Sequence, residues 1–275
     1  PSMTNLLRAN FFRLRRDHVF WTCFGTVLAC SVVFVFFWCR EDVQRGFQVK
    51  LEQHYFNMAM SLGFFIAMFA AMFLNAEYSD GTIRNKLTVG CIRREVYLAN
   101  FLTVLTASLF FTAAWLIGGC VGIPMVGPWG FGLGGLAFHV LIIVGSAVAF
   151  AAIFTFLGML LSRRTATVTV VLSWFALLLV ASMVENTLSE PEFVGGLLMT
   201  VDGMQTMTPE PNPRYVSGAL RTFYEVVRDI IPAGQAIQVQ NLAVLSPLRA
   251  LLCDLGVTAV FTLGGLALFE RKDLK

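Results

Sequence analysis

Two places in the chain put charged side chains where they could act. The first is residues 77–95, where Arg84, Lys86, Arg93 and Arg94 crowd between two long apolar runs, with Glu77 closing the first of them. Asp80 and Thr82 are candidate helix N-caps, because a short side-chain oxygen can take up an orphan backbone N–H. Gly90 is a candidate left-handed residue at the end of that helix. Between them lie about two turns of helix, with Ile83 and Leu87 one turn apart on one face. A short, capped, basic helix between two membrane spans is suited to docking a protein from the cytosol. The second place is Asp254. In a span that starts at Pro247 it lies about 10 Å along the helix axis. A carboxylate at that depth is costly and faces a cavity or a partner, unless water reaches the start of the helix.

Other chemistry is excluded by pattern. Gly130-Phe-Gly-Leu-Gly-Gly135 matches G-x-G-x-x-G, yet it follows no strand and opens no βαβ unit, so it reads as a hairpin between spans rather than a nucleotide site. No G-x-x-x-x-G-K-[ST] occurs, so no P-loop holds ATP in this chain. His18, His54 and His139 are far apart and form no H-E-x-x-H. The six cysteines include no C-x-x-C pair, which suggests neither a metal site nor a disulfide framework. No paired residues support an intramembrane enzyme, and the expectation is a chain without a catalytic site, cofactor or metal of its own.

The elements that must position these residues follow from composition. The chain is 57% hydrophobic and 13% charged, with a mean hydropathy of +0.72. Residues 96–162 contain no Asp, Glu, Lys or Arg, a run that no soluble core explains. The reading is an all-α polytopic membrane protein of 275 residues in one transmembrane domain. Its six spans are placed at residues 19–38, 56–76, 96–123, 136–161, 165–184 and 247–269. Pro1-Ser2 ahead of Met3 reads as an appended remnant, and the first apolar run is too long for a cleavable signal.

Residues 3–17 are not a span. Met3, Leu7, Phe11 and Leu14 recur at helical spacing with Leu6 alongside, and Arg8, Arg15 and Arg16 lie elsewhere around the helix, as in a basic helix lying in the headgroup plane. Residues 188–245 form a long polar segment between spans five and six. Its Thr208-Pro-Glu-Pro-Asn-Pro213 reads as a stiff linker. Beyond it Val216, Leu220, Phe223, Val227 and Ile230 share one helical face, while Arg221, Glu225 and Asp229 lie on the other. Thirteen of the 20 Lys and Arg fall in the N-terminal segment, residues 77–95, the Arg163–Arg164 turn and the C-terminal tail. The positive-inside rule therefore puts both termini and residues 77–95 in the cytosol of a multi-pass cell-membrane protein, and residues 188–245 outside.

Glu77 closing a span, then Gly81-Thr-Ile-Arg84, then Arg93-Arg94 and a restart of apolar sequence, resembles the first cytoplasmic loop of bacterial type-2 ATP-binding-cassette (ABC) exporter permeases. The closing Phe269-Glu-Arg-Lys-Asp-Leu-Lys275 is similar to the basic tail of many of them. The resemblance implies two permease chains, identical or homologous, in the lipid membrane, with separate ABC ATPase subunits that bind ATP and Mg. Nucleic acid is not an expected partner. It also implies that residues 77–95 form the coupling loop, with Ile83 and Leu87 seated in a groove of the ATPase and Arg84, Arg93 and Arg94 at its rim. Glu77 would hold the loop to the span end through one of these arginines. Spans two and five would form the substrate path, where Met58, Phe65, Met68 and Met72 give an adaptable surface, with Asp254 as a further lining candidate. An amphipathic peptide, antibiotic or lipid-like substrate would suit it. An ATP-independent channel or secondary transporter is the competing class, and would want charged or broken helices near the midplane and an internal repeat.

Overall fold

The computed structural model describes residues 3–161, 165–194, 197–200, 203–206 and 209–272. The Ser162–Arg164 turn, Thr208 of the linker and the last three residues of the tail lie outside this set. Among the described residues six long apolar helices cross the bundle: α2 (His18–Arg45), α4 (Ala59–Ser79), α6 (Arg93–Gly119), α8 (Gly132–Leu160), α9 (Ala166–Ser189) and α12 (Pro247–Arg271). Shorter helices lie between and ahead of them: α1 (Met3–Arg16), α3 (Glu52–Tyr55), α5 (Thr82–Thr88), α7 (Ile123–Val126), α10 (Gly218–Ile230) and α11 (Pro232–Gln240). The all-α polytopic membrane architecture expected from composition is present.

The helices run past the apolar stretches that announced them. α2 starts where Asp17 accepts from the N–H of Phe20 at 2.9 Å, and it continues to Arg45 rather than stopping at residue 38. Its last turns are amphiphilic, with a Glu41–Arg45 pair one turn apart, and they end on Gly46 at φ 74°. α6 begins at Arg93 and gives way at Cys120 to a 3₁₀ turn and α7.

α4, α6 and α8 hold most of the interior, with α2, α9 and α12 around them. In lipid no hydrophobic force separates protein from tail, so close contact depends on small residues and on satisfied polar groups. Gly63 lies under Trp174, where a Cβ would stand 2.6 Å from its Nε1. Gly158 receives Leu74, and Gly118 lies against Ser31 and Leu28. Thr103, Ser108 and Thr112 of α6 donate to carbonyls one turn back at 2.7, 2.8 and 2.9 Å, so their hydroxyls cost little inside the bundle.

The segment between α9 and α12 is not purely helical. β1 (Phe193–Val194) pairs with β4 (Glu210–Pro211), and β2 (Leu197–Thr200) pairs with β3 (Gly203–Thr206), both antiparallel. Glu210 and Pro211 of the stiff linker thus form one strand of a pair. α10 has the two faces read from its sequence, but the charged one turns inward: Arg228 and Asp229 are buried, while Leu220, Phe223 and Ile230 are exposed. α11 is buried along most of its length against α4, α8 and α9, so this part of the segment enters the bundle.

The G-x-G-x-x-G segment forms the corner into α8 and its first turn. The N–H of Gly130 donates to Glu52 Oε2 at 2.8 Å, and Gly132 takes φ 70°.

Candidate functional site

Charged side chains converge at the end of the bundle where α4 runs into α5. Glu77, in the last turn of α4, is fully buried. One oxygen accepts from Arg13 of α1, and the other from Lys86 Nζ of α5 at 2.7 Å. Arg13 also donates to the carbonyl of Phe73 at 2.9 Å, and its guanidinium lies over the Phe73 ring. Lys86 donates to Asn10 Oδ1 at 2.9 Å, and Asn10 in turn donates to Asn100 of α6 at 2.9 Å. A buried carboxylate is tolerated when opposite charges and hydrogen bonds surround it. This cluster links α1, α4, α5 and α6 through one carboxylate and two amides.

Backbone geometry sets α5 over the cluster. Gly81, at φ 66°, turns the chain straight from α4 into α5 without a side-chain cap. At the other end the N–H groups of Gly90 and Cys91 return to the carbonyls of Leu87 and Lys86, at 3.0 Å each, and Gly90 takes φ 92°. That is the two-bond helix stop that favours glycine. Ile83 is 2% exposed and packs inward, while Val89 and Ile92 are 73% and 60% exposed.

A second set of contacts fastens the end of α12. Arg93 donates to the carbonyls of Glu270 and Lys272 at 3.0 and 2.6 Å, taking up acceptors left open at a helix C-terminus. Arg94 pairs with Glu270 at the surface, where such a pair contributes little. Lys272 reaches back to the last turn of α8, donating to the carbonyls of Met159 and Leu161 at 2.9 and 3.0 Å and lying over Tyr78. Burial holds the Lys272 ammonium below the usual lysine range.

Asp254 lies toward the opposite end, 3% exposed and against Gly145 of α8. Gln235 of α11 donates to its Oδ1 at 3.0 Å and accepts from Ser146 at 3.1 Å. Oδ2 has no partner among the described residues. Beside it Asp229 of α10, 1% exposed, accepts from Arg249 and from Gln238 at 2.9 Å.

A family described as ABC-2 family transporter protein matches residues 6–190. The chain belongs to the ABC-2 transporter family. No curated protein matches it. The stretch shared with the ABC-2 family contains Asn10, Arg13, Glu77, Lys86 and Asn100, while α10, α11 and α12 lie beyond it.

Placing the sequence-derived residues on this ABC-2 permease corrects several of them. Glu77 pairs with Lys86 of α5 and Arg13 of α1, and not with Arg84, Arg93 or Arg94. Asp80 and Thr82 cap nothing with their side chains, because Gly81 occupies the N-cap position. Ile83 packs inside this chain, and Leu87 is partly buried against the same core, so Ile83 does not face a partner groove. Arg84 is exposed. Arg93 holds the end of α12 instead of standing at a rim.

The path residues divide as well. Met68 and Met72, one turn apart on α4, are 38% and 41% exposed. Met58 and Phe65 line a crevice with Val27 and Trp115. Asp254 packs against α8 and α11, and the fold does not bring it to the open face of α4.

The residues missed by sequence reasoning are Asn10, Arg13, Asn100, Gln235 and Lys272. Asn100 carried a signal, as a strongly polar side chain inside the uncharged run of residues 96–162. The others sit in segments where a polar residue is unremarked.

Proposed function

We propose that this permease is the membrane subunit of an ATP-driven ABC exporter, energised by separate ATPase subunits that bind ATP and Mg. The observation that carries this is the contrast across α5. Its inner side is fixed to three helices through Glu77, Lys86 and Ile83, while Arg84 on its outer side, and Val89 and Ile92 in the turn that follows it, are open. A push on the outer side reaches α1, α4 and α6 together, because the polar cluster and the packed core resist local deformation. The basic end of the bundle faces the cytosol in this reading, following the distribution of Lys and Arg.

A second permease chain completes the path. The open faces of α4, at Met68 and Met72, and of α9, at Leu172, Phe175 and Leu179, are its contact and lining surfaces. Flexible methionines and aromatic rings suit an amphipathic peptide, antibiotic or lipid-like substrate. Purification of the tagged chain from its source membranes tests the assignment. A P-loop ATPase is expected to co-purify in stoichiometric amount, and transport by the reconstituted complex is expected to require ATP and Mg. Transport by the chain alone, without nucleotide, would assign it to the channel or carrier class.

A further inference from the structure

The corner between α1 and α2 has features that the coupling cluster does not use. An apolar groove of about 250 Å³ opens there, walled by Phe11 and Leu14 of α1, Phe20, Trp21 and Phe24 of α2, and Phe110 of α6. Around the corner lies a wider recess of about 490 Å³, bounded by Phe12, Arg13, Arg16, Asp17 and His18. The indole N–H of Trp21 donates to the carbonyl of Arg15 at 2.8 Å and holds the corner in place.

The charges at this corner are unequal in their engagements. Arg13 is taken by Glu77, and Asp17 is taken by the start of α2. Arg15 and Arg16 are exposed and pair with no carboxylate among the described residues. Arg16 stacks over Phe12, 4.2 Å from the ring centroid, which aims its guanidinium across the recess. Two arginines thus stand immediately ahead of a membrane-spanning helix, beside an apolar groove that runs along that helix. Basic side chains at the headgroup level attract anionic lipid, and an apolar groove next to them accepts the tail.

We propose that this corner binds one anionic phospholipid, with part of an acyl chain in the Phe11–Phe24–Phe110 groove and the phosphate beside Arg15 and Arg16. A zwitterionic lipid would fill the groove equally well but leave the two guanidinium groups without a counter-charge. The bound lipid covers the exposed ring of Trp21 and joins α1 to α2 and α6, so it stiffens the same helix that supplies Arg13 to Glu77.

Trp21 reports on the site. The full chain is reconstituted into nanodiscs of unbrominated phosphatidylcholine. It is then titrated with phosphatidylglycerol or phosphatidylcholine carrying the same brominated acyl chains. The quenching due to Trp21 is taken as the difference from a Trp21→Phe chain. Half-quenching by the brominated phosphatidylglycerol is expected at a mole fraction about tenfold lower than by brominated phosphatidylcholine. Arg15→Gln with Arg16→Gln is expected to remove that preference, and Arg15→Lys with Arg16→Lys to retain most of it. Equal quenching by the two lipids in the wild-type chain, or an undiminished preference in the glutamine variant, would overturn the site. Loss of the preference on adding millimolar inorganic phosphate would reassign the arginines to a soluble anion and overturn the lipid as occupant.

Discussion

Glu77→Ala is expected to destabilise the folded chain by about 3–5 kcal/mol, the usual consequence of removing one partner from a buried ion pair. Glu77 has no exposed surface and meets both Arg13 and Lys86. Without it, two cations face each other across a closed space, and Lys86 keeps only Asn10. Denaturant unfolding in detergent measures the loss. Glu77→Gln preserves the shape and some hydrogen bonding, so it is expected to fall between the wild type and Glu77→Ala. Adding Lys86→Met to Glu77→Ala is expected to recover part of the loss, because the stranded cation is then removed too. A Glu77→Ala chain within about 0.5 kcal/mol of wild type, the range of ordinary surface changes, would mean that the cluster is not a structural tie.

Asp229→Ala acts at the other end of the bundle, with an effect of similar size. Asp229 is 1% exposed, and its carboxylate is shared by Arg249 and Gln238, with Arg228 beside it. Arg228 is itself buried and has Glu185 as its other acidic neighbour, at 3.4 Å. Removing Asp229 leaves Arg228 and Arg249 mutually repelling, a loss of about 3–5 kcal/mol concentrated on α10 and α11. Amide exchange in residues 218–240 is expected to rise sharply, with the protection of α4 and α6 unchanged. Uniform loss of protection through all six spans would instead make Asp229 part of the global core.

The spans were legible because long uncharged runs leave a chain no alternative to crossing the membrane, and residues 96–162 contain two of the crossings with their connection. Their ends were not legible from hydropathy. α2 continues to Arg45 because helical pairing and a left-handed glycine govern that end, not apolarity. Asp254 was noticed by its depth, but its partner Gln235 comes from a different helix, and nothing local announces it. The Ile83–Leu87 spacing shows why amphipathicity alone misleads. One apolar face on a two-turn helix fits a partner's groove or the chain's own core equally well, and here Ile83 goes into the core. The same ambiguity hid the inward turn of Arg228 and Asp229 on α10. On α10 the charged face meets Glu185, Gln238 and Arg249 inside the bundle, so the buried face is the charged one.

Energy transfer through the outer side of α5 and the turn after it is tested most directly by changing side chains that are open in this chain. Val89→Asp with Ile92→Asp alters residues that are 73% and 60% exposed, so the fold is expected to be unchanged in elution and unfolding midpoint. Ile83→Ala is the internal contrast: it opens a cavity costing about 2–4 kcal/mol, yet leaves the outer face intact. Each variant is purified from its source membranes, and the co-purifying ATPase and ATP-dependent transport are measured. The account predicts that the double aspartate chain remains folded but loses the ATPase, with transport lowered at least about tenfold, while the less stable Ile83→Ala chain retains it. A folded double aspartate chain that keeps a stoichiometric ATPase and transports at the wild-type rate would contradict the account.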